Sequence, residues 1–119
     1  MADESGVLVL GDSTGGELSS TSRELLTAGR KAADDLGEEL AIGLLGDTLD
    51  QPSQQAISYG ADKVYAVTHP QLAQYQVDLY LAAMEALCRD VSPRVVLIGR
   101  TNEGRELAPR LAFRLGVGL

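Results

Sequence analysis

An α/β fold, a three-layer α/β/α sandwich around a mostly parallel sheet, is what this sequence predicts. Short unbroken apolar runs at 7–10, 40–45, 64–67 and 95–98 have the character of strands buried on both faces. Between and after them come stretches with apolar residues at three-and-four spacing, the pattern of a helix lying on a sheet. Composition agrees: 13 Gly, one Phe, four Tyr and no Trp fit aliphatic strands joined by glycine-punctuated turns. At 119 residues and 45% hydrophobic, the chain is long and apolar enough for one domain with its own core.

Val7 to Leu10, between Gly6 and Gly11, is the first strand. Asp12 to Gly16 is a polar glycine-containing turn, and Leu18 belongs to a brief extended piece before the first helix. Thr21 and Glu24 have the spacing of a capping box at that helix's start. Leu25, Leu26, Gly29, Ala32, Ala33 and Leu36 form its apolar face, and Gly37 its stop. Leu40 to Leu45 is the second strand, ended by Gly46. Pro52 suits the first turn of a short helix, where its missing N–H has no partner to lose, and Gly60 closes that helix. Val64 to Val67 is the third strand. A helix from about Gln74 to Arg89 follows, with Val77, Tyr80, Leu81, Met84, Leu87 and Cys88 on one side and Pro93 as its break. Val95 to Ile98, ended by Gly99, is the fourth strand. A last helix follows the 99–104 loop and carries Leu107, Leu111 and Leu115, with Pro109 expected within about its first turn. No internal repeat, low-complexity tract or linker is visible. The final helix should hand over to a further strand or partner, so Gly116-Val117-Gly118-Leu119 is expected to be a truncated end.

A net charge of −7 and a pI near 4.5 argue against nucleic acid and anionic membranes as partners, since both need concentrated basic surface. The single cysteine, Cys88, rules out a disulfide framework and suits a reducing, cytoplasmic compartment. The start MADESGVLVL lacks a basic n-region and a long h-region, so it does not have the form of a secretory signal. No apolar run reaches the ~18 residues of a membrane span.

The residues offer little chemistry. Gly11-Asp12-Ser13-Thr14-Gly15-Gly16-Glu17 is neither G-x-G-x-x-G nor a Walker loop, and its two acids would repel a phosphate. Gly99-Arg100-Thr101-Asn102-Glu103-Gly104-Arg105 has more promise. It lies between a strand and a helix, where α/β sheets place ligands, and it combines helix amides with two arginines. The competing reading has Thr101 and Asn102 bonding the loop while Arg105 meets surface acids. His69, the only histidine, has no cysteine or acid cluster beside it to form a metal shell. Cys88 sits on an apolar face as a buried small hydrophobe. Asp34, Asp35, Glu38 and Glu39 are expected to be solvated. Neither Ser13 nor Ser22 lies in a nucleophile elbow. No catalytic, metal or cofactor-binding residue is assigned, which leaves binding or scaffolding.

The segment Thr101-Asn102-Glu103-Gly104-Arg105-Glu106-Leu107-Ala108-Pro109-Arg110-Leu111-Ala112-Phe113-Arg114-Leu115-Gly116 resembles the T-x-x-G-R-x-L-A-P-R-x-A-x-R-L block of electron-transfer flavoprotein alpha subunits, the ETF alpha/FixB family. Val7 to Leu10, Gly16-Glu17-Leu18, the helix at 25–30 and Gly60-Ala61-Asp62-Lys63-Val64 are similar to that family's opening, so the likeness covers essentially the whole chain. The resemblance implies a Rossmann-like fold of the adenine-nucleotide alpha-hydrolase-like type. It implies that residues 1–119 are the N-terminal, non-FAD-binding domain, with the C-terminal FAD-binding domain absent. It also implies a scaffold at the interface with the ETF beta subunit, with no cofactor in this fragment. The full-length electron carrier would hold FAD and be served by flavin dehydrogenases. Thr101, Gly104, Arg105, Pro109 and Arg110 match the block and are the candidates for loop geometry and subunit contact. A stand-alone adenine-nucleotide-binding module of the same fold is the alternative.

Overall fold

The computed structural model describes residues 4–118. Residues 1–3 of the N-terminal stretch and Leu119 of the terminal segment lie outside the described residues. The strands are β1 (Val7–Leu10), β2 (Ser13–Thr14), β3 (Glu17–Leu18), β4 (Leu40–Gly46), β5 (Lys63–Thr68) and β6 (Val95–Ile98). The helices are α1 (Ser20–Leu36), α2 (Asp50–Ser58), α3 (Val77–Val91) and α4 (Asn102–Leu115), with a 3-10 turn at Pro70–Leu72 before α3. The main sheet is entirely parallel, in the order β5-β4-β1-β6.

β1 lies between two strands, Val7 opposite both Leu40 and Val95, and all four of its residues are buried. Because side chains alternate across a strand, Val7 and Val9 face one helical layer and Leu8 and Leu10 the other. α1 and α2 close the first side with Leu26, Ala33 and Ala56, packed on Leu40, Ile42 and Leu44. α3 and α4 close the second with Leu81, Met84, Leu87, Leu107 and Leu111, packed on Ala41 and Leu45. The predicted sandwich is therefore present. Small residues let the layers approach: a Cβ on Gly43 would lie 2.4 Å from the Leu87 side chain.

Several local expectations change. The turn after β1 is a hairpin in which Ser13–Thr14 pairs antiparallel with Glu17–Leu18 across Gly15 and Gly16. Both glycines have positive φ, +61° and +81°, which the tight two-residue turn requires. α1 is capped by Ser19, whose hydroxyl accepts from the Ser22 amide, and not by Thr21 with Glu24. Thr21 already lies inside the helix, so its hydroxyl has no free first-turn amide of that geometry to take. Leu36 is 47% exposed and does not join the buried face, because Gly37 turns the chain left-handed directly after it. α3 begins at Val77 because Pro70 starts a separate 3-10 turn, capped by His69, whose Nδ1 accepts from the Gln71 amide.

The N-terminal ends of the strands are tied by two acids, Glu38, which had been expected in solvent, and Asp62. Glu38 accepts from the Gly6 amide at 3.1 Å and pairs with Arg94 at 2.8 Å. Asp62 accepts from the Leu40 amide at 2.9 Å and from Arg30 at 3.0 Å. Asp34 also pairs with Arg30, and Glu39 with Lys63.

Leu26→Ala should lower stability by about 2–5 kcal/mol, as for other buried leucines, whereas Leu36→Ala should stay within about 0.5 kcal/mol. Urea denaturation checks both. The bond from Arg94, then that from Gly6, holds the Glu38 carboxyl below its ordinary value of 4.5. The Leu40 amide, then Arg30, does the same for Asp62 below 3.8. Stability from both acids is thus fully present above those ordinary values and is lost as pH falls through the lowered folded values. Glu38→Gln and Asp62→Asn should be less stable than wild type at neutral pH, with the difference closing in acid. Melting series from pH 7 to pH 2 give the comparison.

Candidate functional site

The chain runs outward from β1 through β4 to β5, then crosses back to β6 on the other side of β1. That reversal places a topological switch point between the carboxyl ends of β1 and β6, where open α/β sheets form their ligand crevice. A cleft of about 730 Å³ occupies this position, walled by Gly11 and Asp12 after β1 and by Gly99 and Thr101 after β6.

The backbone is drawn tightly together here. A Cβ on Gly99 would lie 2.5 Å from Thr21 Cγ2 of α1, and a Cβ on Gly104 would lie 1.9 Å from the Gly99 carbonyl oxygen. Thr101 caps α4: its hydroxyl accepts from the Gly104 amide at 3.0 Å, and its carbonyl accepts from Arg105 N–H at 2.9 Å. Thr101 thus bonds the loop as the competing reading of this segment expected, whereas Asn102 makes no side-chain hydrogen bond and Arg105 meets no acid among the described residues. The helix amide that an anion would seek at Gly104 is already bonded.

The other wall is filled in the same way. The Asp12 carboxylate accepts from the Ser19 hydroxyl and from Ser22 Oγ at 3.0 Å, while Asp12 N–H donates to Ser22 Oγ at 2.8 Å. Ser22 is 1% exposed, and its hydroxyl is held between Asp12 and Ser19. An acid therefore stands at the positive end of α1, where a phosphate would otherwise gain from the helix dipole. Glu17, Asp47 and Glu103 add three more carboxylates to the lining. Their field reaches Tyr80, whose phenol is raised first by burial and then by Asp47, Asp12 and Glu103. The neighbouring Tyr75 is also raised, by burial and by its bond to Glu106. Arg23, the one basic residue of this lining among the described residues, lies over the Tyr59 ring, 5.2 Å from its centroid. These residues do not fit the pyrophosphate of a flavin or adenine dinucleotide.

Elsewhere the sequence-derived candidates separate. α4 begins at Asn102, so Pro109 is well inside the helix and not within its first turn. The reason is the Thr101 cap, which opens the helix at the loop that had been expected to extend to residue 104. Arg105, Pro109 and Arg110 are all exposed. Among the described residues, neither Arg105 nor Arg110 has an ion-pair or side-chain hydrogen-bond partner, whereas Arg114 pairs with Glu85 at 3.3 Å. Cys88 is buried, and burial pushes its thiol up to about 11. No group of three or more His, Cys, Asp or Glu among the described residues could hold a metal ion. No helix among them is long and apolar enough to cross a membrane.

Glycine-to-alanine changes inside helices normally stabilise by up to about 1 kcal/mol. Gly104→Ala should do the opposite and cost about 3 kcal/mol, because backbone and not a flexible side chain blocks the new methyl group. A denaturation midpoint equal to or above wild type would contradict the packing described for the switch point.

Residues 7–119 match the electron transfer flavoprotein domain family. The chain is 41% identical over 118 residues to the electron transfer flavoprotein subunit alpha of Clostridium acetobutylicum, covering 99% of this chain and 35% of that protein. It is 38% identical over 113 residues to the subunit of the same name from Bacillus subtilis, covering 95% and 34%. To the acryloyl-CoA reductase electron transfer subunit beta of Anaerotignum propionicum it is 42% identical over 104 residues, covering 87% and 28%. The chain thus spans about a third of the length of the curated relatives it matches. With nearly all of its length matched and a sheet of the kind its motifs imply, the chain belongs to the electron transfer flavoprotein family.

Proposed function

We propose that residues 1–119 are the N-terminal, non-FAD-binding domain of an electron transfer flavoprotein alpha subunit, acting as a scaffold at the interface with the beta subunit in the cytoplasm. In the whole protein a C-terminal domain binds FAD, and electrons pass from a flavin dehydrogenase through that flavin to a redox partner. The flavin carries the redox chemistry, and the protein contributes placement and docking. This domain has no catalytic residue of its own in that scheme. Relatives named as electron transfer subunits, each about three times as long, support it.

The observation that carries the scaffold reading is the switch point. Its position is that of a nucleotide site, yet the Asp12 carboxylate takes the helix end and three further acids line the walls. A nucleotide phosphate entering here would meet like charge, and the Ser22 and Gly104 amides are already bonded. Thr101 and Gly104 then serve loop geometry, and Arg105, Pro109 and Arg110 serve subunit contact. The stand-alone nucleotide-binding module has one point in its favour, a cleft of about 730 Å³ in the right place.

Calorimetric titration with AMP, ADP, ATP and FAD separates the two readings. The scaffold reading expects no saturable heat up to millimolar nucleotide, and complex formation with the beta subunit. Saturable micromolar binding of any of the four to this domain would move the assignment to the nucleotide module.

A further inference from the structure

We draw no further inference here: the strongest candidate, the cleft lined by Asp12, Glu17, Asp47 and Glu103 at the carboxyl ends of β1 and β6, belongs to the site already described, and nothing among the described residues shows what ligand such an acidic lining would hold.

Discussion

The contact on which the rest of this fold depends is the approach of backbone to backbone at the end of β6. The Gly99 carbonyl lies where a side chain on residue 104 would have to start, and Thr21 of α1 occupies the space above Gly99 itself. One residue is thereby touched by the first helix of one layer and the last helix of the other. That joint fixes how far α4 stands from the sheet and how close the start of α1 lies to it. It also determines what the switch point can be. With both helix starts held this near the sheet ends, their amides are reached by Ser19 and Thr101 from the chain itself. The cleft stands where an α/β sheet places a ligand, and carboxylates of the chain itself line it.

Charge is partitioned along the sheet in a way that follows from this. At the amino ends of the strands, Arg30, Lys63 and Arg94 are all committed to Asp62, Glu39 and Glu38. At the carboxyl ends, carboxylates gather around the cleft with Arg23 turned onto an aromatic ring. Exposed ion pairs of this kind contribute little individually. Their value here is positional, since Glu38 and Asp62 also hold the Gly6 and Leu40 amides beside the starts of β1 and β4. The arginines of α4 remain outside both systems.

β1 and β4, buried at every position, were legible because such a strand must be apolar throughout. β5 and β6, expected to be buried on both faces, are only partly buried because each is an edge of the sheet. Val7–Leu10 and Val95–Ile98 agree with their apolar runs residue for residue, and β4 and β5 differ by a residue or so at their ends. Caps were less legible. Ser19, Ser20, Thr21 and Ser22 all offer a hydroxyl, and only the path of the chain out of β3 decides that Ser19 takes the amide. The start of α4 could have been found, since Thr101 precedes the periodic residues by the interval a cap requires; the loop glycine at 104 hid it. The Glu38–Arg94 tie spans 56 residues of sequence and leaves no local pattern. In the site, the absence of a glycine-rich phosphate loop was readable, but the occupation of the α1 terminus by Asp12 needed the hairpin that brings residue 12 back to residue 22.

Pro109 shows how such a domain can carry a feature that works against its own helix. An interior proline costs about 3 kcal/mol in a helix, and Pro109 is exposed and belongs to neither buried cluster. α4 forms nonetheless because its ends and its inner side are secured independently. Thr101 caps the start, and Gly116 closes the end in the left-handed conformation at φ +72°. Leu107 and Leu111 bury themselves against the layer that α3 completes. Proline on the inner side would have displaced that packing, whereas at an outward position the lost hydrogen bond exposes only a carbonyl to water. Stability is thus set on one side of α4, and composition on the other side is free to answer to whatever lies beyond the domain.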